Sequence, residues 1–106
     1  MPADEINELL DCFIQQLSPV SVYLFGSYAD GAFHEDSDFD FYIVVEDQEI
    51  DLIELMRQAY KSVRSVKKRP VDILIGTSSK FEERKNQLTV ENEVFQKGLL
   101  LYDTKR

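Results

Sequence analysis

Residues 38–45 read DFDFYIVV, and this stretch decides how the chain folds. The run is aromatic and β-branched, which is typical of a β-strand. Side chains alternate between the two faces of a strand, so Asp38 and Asp40 point to one face while Phe39 and Phe41 point to the other. At a rise of ~3.3 Å per residue, the Cα atoms of the two aspartates lie about 6–7 Å apart. The sequence therefore predicts a strand with two carboxylates on one face.

Helices and further strands are predicted on both sides of this run. Apolar residues at three- and four-residue steps predict one helix over residues 4–17 and another over about 50–66. Short apolar runs predict strands at 20–25, 71–75 and 99–102, with a helical region, broken or continuous, from 79 to 98. Strands that alternate with helices predict an α/β (α+β) fold, a small mixed β-sheet flanked by helices. A length of 106 residues fits a single domain spanning residues 1–106.

The pattern also predicts local details of these helices. The second helix is expected to bury one side, formed by Ile53, Met56, Tyr60 and Val63. Ser79 opens the sequence Ser-Lys-Phe-Glu, a capping box that we expect to begin the next helix. The basic run 67–69 is expected at the C-terminal end of the second helix, where cations favour the helix dipole.

A third carboxylate, Asp72, interrupts the apolar strand at 71–75, although aspartate is a poor strand former. Without a cation, Asp38, Asp40 and Asp72 would repel one another. Three carboxylates supply the oxygen ligands that Mg²⁺ prefers. Two such ions about 3.5–4 Å apart can stabilise the attacking and leaving oxygens of an in-line displacement. The alternative is a solvated outer face, which Asp72 would share with Leu74.

Gly26 and Ser27 directly follow the first strand. A glycine at this point lets the backbone approach a ligand closely, and exposed amides with a serine hydroxyl can hold phosphate oxygens. A Gly-Ser pair alone most often marks an ordinary turn. Together with three aspartates on later strands, it indicates a metal-dependent site for a phosphate-containing substrate.

The charge of the chain argues against several classes of partner. It has 20 acidic and 12 basic residues and a net charge of −8. Because such a surface repels a phosphate backbone, we expect no direct contact with nucleic acid. No apolar run reaches the ~18 residues of a membrane span, and the acidic N-terminus lacks the features of a signal peptide. We therefore expect a cytoplasmic protein with no membrane partner. Cys12 is the only cysteine, so no intramolecular disulfide is expected.

In these motifs the sequence resembles the nucleotidyltransferase superfamily typified by DNA polymerase β, and most of all its minimal nucleotidyltransferase (MNT) proteins. The resemblance covers almost the whole chain. Its elements are a Gly-Ser-x-Ala-x-Gly loop at 26–31, a Ser-Asp-x-Asp motif at 37–40, Asp72, and a closing strand at 98–103.

The resemblance implies catalytic and metal-binding roles for the aspartates. Asp38 and Asp40 would bind both of two Mg²⁺ ions. Asp72 would complete one metal site and would serve as the base, or position the incoming hydroxyl. On the nucleotide side, Gly26 and Ser27 would contact the triphosphate of ATP, while Ser37 would hold the loop.

Two residues depart from the family pattern. Tyr28 and Asp30 stand where many members have basic residues, and Asp30 brings a negative charge towards the expected phosphates. Tyr28 is expected either to stack on a base or to pack internally. Other cations either compensate for the missing charge or are solvated helix-end residues; they are Lys67, Lys68, Arg69, Lys80 and Arg84.

MNT proteins are typically paired with a small helical HEPN-domain protein, often a ribonuclease toxin, and some attach AMP to a tyrosine of that toxin. The resemblance thus implies transfer of AMP from ATP, a nucleoside triphosphate, to a hydroxyl of a partner HEPN toxin by an MntA-type antitoxin. We expect the partner to supply the acceptor because the chain is too short to build an acceptor domain. The alternatives are a non-catalytic module that masks its partner by contact, and nucleotidyl transfer to a small molecule.

Overall fold

The computed structural model describes residues 2–32 and 37–104. Within them the helices are α1 (Ala3–Leu17), α2 (Ser27–Asp30), α3 (Leu52–Val63), α4 (Ser78–Arg84) and α5 (Val90–Lys97). The strands are β1 (Ser21–Phe25), β2 (Phe39–Val45), β3 (Val71–Thr77) and β4 (Leu99–Asp103). The predicted fold class is confirmed. Residues 33–36, between the predicted loop at 26–31 and the Ser-Asp-x-Asp motif at 37–40, lie outside the described residues.

The strands form one mixed sheet in the order β3-β2-β1-β4. β1 runs antiparallel to β2 and to β4, whereas β2 and β3 run parallel. A parallel pair needs a crossover connection, and α3 provides it. As a result, β2 and β3 begin at the same end of the sheet, and β1 ends there.

Helices α1 and α3 cover the first face of the sheet and enclose the larger core. The predicted stripe of α1 is confirmed, and its buried members are Ile6, Leu9, Phe13 and Leu17. Phe13 meets Phe41 of β2 edge-to-face, with ring centroids 5.0 Å apart. Phe41 is thus fixed on the inner side of its strand, which leaves Asp40 and Tyr42 on the opposite face.

The buried side of α3 differs from the predicted one. It is formed by Leu55, Ala59 and Val63. Ile53 is 67% exposed, so its predicted place in the core was wrong. Tyr60 lies outside the core as well, because its hydroxyl accepts a hydrogen bond of 2.9 Å from the backbone N–H of Ile73. Ile73 belongs to the edge strand β3, and Tyr60 thereby satisfies a donor that the sheet leaves open.

The start of α4 also corrects a prediction. The N-cap is Thr77, the last residue of β3, whose hydroxyl accepts the backbone N–H of Lys80 at 3.3 Å. Ser79 was expected to be the cap, but its hydroxyl and its backbone N–H both donate to the carboxylate of Asp47. The helix begins earlier than predicted because strand and helix join without a loop. The basic run 67–69 likewise lies beyond the end of α3 at Val63 rather than within its last turn.

Helices α4 and α5 cover only part of the second face, where they pack over Tyr42 and Val44. Tyr42 donates a hydrogen bond of 2.7 Å to Glu91 of α5, and Arg84 of α4 donates one of 3.0 Å to the same carboxylate. Glu91 is only 2% exposed. A buried charge of this kind is tolerated because it is both paired and hydrogen-bonded.

The pKa values of this network follow from its geometry. Burial, followed by the hydrogen bond to Glu91, raises the pKa of Tyr42. Burial by itself would raise the pKa of Glu91, but the hydrogen bonds from Tyr42 and Arg84 outweigh it and the pKa is lowered. At neutral pH a neutral phenol therefore donates to a carboxylate, which fixes α5 against the centre of β2.

Gly76 lies against the hydroxyl of Tyr42, so a substitution at Gly76 tests the packing around this hydroxyl most directly. A Cβ atom on Gly76 would lie 2.2 Å from the hydroxyl oxygen of Tyr42. We expect Gly76→Ala to lower the free energy of unfolding by roughly 1–3 kcal/mol, the usual cost of overpacking a core. Urea unfolding followed by circular dichroism measures this change.

Tyr42→Phe provides the matched background because it removes the oxygen that the new methyl group would meet. Gly76→Ala should cost less in Tyr42→Phe than in the wild-type chain. An equal cost in both backgrounds would show that the alanine is penalised for another reason.

Candidate active site

Asp40 and Asp72 face each other at the end of the sheet where the parallel strands β2 and β3 begin. They are direct partners in the strand register, and their side chains share a hydrogen bond. This contact requires both aspartates to be on the same face, and the alternation of buried and exposed residues in β3 puts Asp72 and Leu74 there. The two motifs that lie 32 residues apart in the sequence thus meet at one point.

Asp38 lies just before β2, exposed to solvent, and its charge acts on Asp40. The solvated-face alternative holds in part, because Asp38 and Asp72 are exposed while Asp40 is half-buried. Across residues 2–32 and 37–104, no three His, Cys, Asp or Glu side chains are already arranged to hold a metal ion. The three carboxylates are therefore neighbours, but they do not form a closed set of ligands.

The pKa of Asp40 reflects this crowding. Burial first, then the charge and hydrogen bond of Asp72, and finally the charge of Asp38 raise the pKa of Asp40 to about 6. Burial disfavours the charged form of Asp40, and the neighbouring carboxylates disfavour a further negative charge beside them. The arrangement therefore attracts a positive charge, which would remove the repulsion without removing any residue.

Gly26 brings the first loop against these carboxylates. Its φ of 74° is in the left-handed region, and a Cβ atom at this position would lie 2.2 Å from Oδ2 of Asp40. Only glycine combines this backbone conformation with such a close approach. The end of β1 is thus in direct contact with the Asp40 and Asp72 pair.

Ser27 begins the single turn of α2 and is half-buried beside this contact. The carbonyl oxygen of Gly26 accepts the backbone N–H groups of Ala29 and Asp30 at 3.1 and 3.0 Å. Asp30 points to solvent at the end of the turn. The loop is thus closed by its own backbone.

Tyr28 resolves the choice between stacking on a base and packing internally. It is 3% exposed, and its ring lies 5.0 Å from that of Phe39. Since its faces are already in contact with the protein, Tyr28 packs in the core below the loop. Its hydroxyl accepts a short hydrogen bond from Arg69.

Ser37 is buried, and its carbonyl oxygen accepts a hydrogen bond of 3.1 Å from Arg69. The residue that holds the start of the Ser-Asp-x-Asp motif is therefore Arg69. Treating Arg69 as a solvated helix-end charge was wrong, since its side chain is 16% exposed and paired with Glu5 at 2.8 Å. Glu5 lies 64 residues away in the sequence, and no local pattern connects the two.

The other cations considered from the sequence fall into two groups. Lys67, Lys68 and Lys80 are exposed. Arg84 is bound to Glu91 and so belongs to the packing of α4 and α5. The loop at 26–31 therefore keeps the acidic character that Asp30 gives it.

The glycine–serine loop after β1 and the aspartates at the start of β2 and β3 agree with the comparison to known families. The family model described as polymerase β, nucleotidyltransferase matches residues 7–106. The chain belongs to this nucleotidyltransferase family. The resemblance deduced from the motifs is confirmed, and so is the expectation of a nucleotidyltransferase enzyme.

Solved structures of similar fold include two toxin–antitoxin complexes. One, with AMP-PNP, is 25% identical, with a TM-score of 0.56 over 99% of this chain and 76% of that one. A mutant MntA–HpeT complex is 27% identical, with a TM-score of 0.60 over 99% of this chain and 75% of that one. A candidate nucleotidyltransferase from Sulfolobus solfataricus, at 17% identity and a TM-score of 0.68 over 97% and 81% of the two chains, shares the fold.

A search among curated proteins gives no match. Among the described residues, no helix is both long enough and apolar enough to cross a membrane.

The residues present fit the divalent cation that this nucleotidyltransferase family implies. The donor set consists of carboxylate oxygens, and the repulsion between Asp40 and Asp72 that raises the pKa of Asp40 is one that a bound cation would relieve. Asp38, Asp40 and Asp72 are the side chains that would hold it. Gly26 lets the backbone of the loop approach the Asp40 carboxylate more closely than a residue with a Cβ atom could.

The raised pKa of Asp40 predicts how stability depends on pH without divalent ions. The pKa is about 6 in the folded chain and 3.8 in the reference state, so the folded state binds more protons between these values. The contribution of Asp40 to stability therefore falls as pH rises from about 4 to 6. We expect Asp40→Asn to melt a few degrees above the wild-type protein at pH 7.5, with a smaller difference at pH 4.5.

Thermal melts in a chelating buffer at the two pH values measure this difference. Asp11→Asn, at an exposed position on α1, is the matched control for loss of one carboxylate. If the gain of Asp40→Asn is the same at both pH values, the crowding of the carboxylates does not raise the pKa of Asp40.

Proposed function

We propose that this chain transfers AMP from ATP to a hydroxyl, most simply a tyrosine, of a partner HEPN toxin, and that it acts as the antitoxin of the pair. The observation that carries the proposal is the in-register contact of Asp40 and Asp72, with Asp38 beside them and Gly26 against Asp40. A nucleotidyl transfer needs carboxylates and a phosphate-binding loop at the same point.

Each site residue has a proposed part in the reaction. Asp38 and Asp40 would hold both of two Mg²⁺ ions, and Asp72 would hold one of them. Bound ions would neutralise charge on the triphosphate and polarise the α-phosphoryl group. Gly26 and Ser27 contact the triphosphate through the loop, and Ser37 is the point at which Arg69 holds the start of the metal-binding motif.

The reaction is an in-line displacement at the α-phosphorus. The acceptor hydroxyl oxygen forms a bond to this phosphorus, the bond to the oxygen that bridges to the β-phosphorus breaks, and pyrophosphate leaves. In this proposal Asp72 accepts the proton of the hydroxyl or positions that hydroxyl, and the exposure of its carboxylate on the open side of the sheet supports either role. The product is a phosphodiester between AMP and the acceptor.

The uncovered half of the second sheet face supports an acceptor that comes from another molecule. Leu74 follows Asp72 on this face and is 37% exposed within the sheet, whereas Tyr42, its direct neighbour on β2, is covered by α4 and α5. A macromolecular hydroxyl can reach Asp72 from this side. A small acceptor would find no enclosing wall there among the described residues.

The similar structures support the same partner. They include a toxin–antitoxin complex with AMP-PNP, and a tri-AMPylated HEPN toxin with an MNT antitoxin from Shewanella oneidensis shares the fold at 19% identity. We further propose that residues 1–106 act as one domain in the cytoplasm. A net charge of −8 fits a protein partner and opposes direct contact with nucleic acid.

The test is to incubate the protein with Mg²⁺, ATP and the product of its neighbouring gene as the partner, and then to record the intact mass of both. We expect the partner to gain one or more AMP units. Asp38→Asn should lower the transfer rate at least ~100-fold, because it removes a ligand shared by both ions, while the thermal melt stays at or above that of the wild-type protein.

Asp11→Asn is the control and should transfer AMP at the wild-type rate. A stable complex with no gain of mass on either protein would contradict the transfer and favour masking by contact, with Asp30 as the next residue to change. AMP found only on an added small-molecule alcohol would contradict the protein acceptor.

A further inference from the structure

Arg69 is the centre of a partly buried polar cluster next to the candidate active site. Its Nε and Nη2 donate to the two carboxylate oxygens of Glu5 at 3.1 and 2.8 Å. Its Nη1 donates to the hydroxyl of Tyr28 and to the carbonyl oxygen of Ser37, the latter at 3.1 Å. The guanidinium carbon also lies 4.5 Å from the ring centroid of Phe39. One side chain thus donates through three nitrogens to three residues and packs against the ring of a fourth.

These partners belong to the separate parts of the site. Tyr28 lies in the loop that begins with Gly26 and Ser27, and Glu5 lies in the first turn of α1. Ser37 and Phe39 are the residues on either side of Asp38. Arg69 therefore joins the proposed phosphate loop to the metal-binding motif.

The backbone adds a second contact between the same segments. The N–H of Phe39 donates to the carbonyl oxygen of Pro70 at 3.2 Å, next to the bond between Arg69 and Ser37. Asp38 is therefore held on both sides by residues 69 and 70. Asp72 follows two residues later in the same segment, so its position relative to Asp38 depends on this contact.

We propose that Arg69 is a positioning residue that sets the distance of Asp38 from Asp40 and Asp72 and thereby tunes the affinity for the divalent ion. The inference rests on the proposed function only in taking these aspartates as the metal ligands. Arg69 does not bind the phosphates, because Glu5 already neutralises its charge and its side chain is 16% exposed.

The contacts require arginine. A planar fork can donate to a carboxylate through two nitrogens while a third reaches other acceptors, whereas the ammonium of lysine is a single point with one set of donors. Arg69→Lys keeps the charge beside Glu5 and loses the simultaneous contacts to Tyr28 and Ser37. It therefore separates the positioning of Asp38 from the simple presence of a cation.

The experiment measures Mn²⁺ binding by isothermal titration calorimetry on the full chain, with AMP transfer recorded separately. We expect Arg69→Lys to weaken Mn²⁺ binding roughly 10- to 100-fold, the usual effect of losing a partner that orients metal ligands. The transfer rate at saturating ATP should fall in parallel, and the KM for ATP should change less. Arg57→Lys, at an exposed ion pair with Glu54 on α3, is the matched control and should leave the Mn²⁺ affinity unchanged.

A folded Arg69→Lys protein that binds Mn²⁺ as the wild type does would overturn the inference. If Arg69→Lys does not fold, Tyr28→Phe decides, because it removes only the hydroxyl that Arg69 contacts. Weaker Mn²⁺ binding by at least a few-fold supports the inference, and unchanged binding rejects it. If the wild-type protein transfers no AMP but Arg69→Lys still weakens Mn²⁺ binding, the proposed function is contradicted and the positioning role of Arg69 is supported.

Discussion

The parallel register of β2 and β3 is the constraint on which the site depends. It makes Asp40 the direct partner of Asp72, so two carboxylates must share one place on the sheet. A shift of one residue would send one of them into the core on the opposite face. The register is held because the alternate residues of both strands are buried, and a slip would expose them.

Burial on the first face explains why the chain tolerates this repulsion. Phe39, Phe41, Val71 and Ile73 are at most 5% exposed, and full burial of such side chains contributes about 1.5–3 kcal/mol each. On the second face, Asp72 is exposed to water and Asp40 is half-buried beside it, so the repulsion appears as the raised pKa of Asp40. The apolar face therefore determines the register, and the carboxylates follow from it.

Two partly buried ion pairs lie on either side of this open region. Arg69 and Glu5 hold α1 and the loop after β1 to the start of β2, while Glu91 joins α4 and α5 to Tyr42 in its middle. In each, a carboxylate accepts two hydrogen bonds, which offsets the cost of removing it from water. Between the two ion pairs, Asp72 and Leu74 remain exposed.

The sequence by itself determined the order of helices and strands, the fold class, and the identity of the residues that meet at the edge of the sheet. It did so because strand alternation, helical spacing and the motifs at 26–31 and 37–40 are local properties of the chain. Local spacing failed for α3, where Ile53 and Tyr60 lie outside the core, and for the cap of α4. The role of Arg69 was equally hidden, because Glu5, Tyr28 and Ser37 lie 64, 41 and 32 residues away. Only the tertiary structure decided these points, since contacts between distant segments depend on how the helices pack on the sheet.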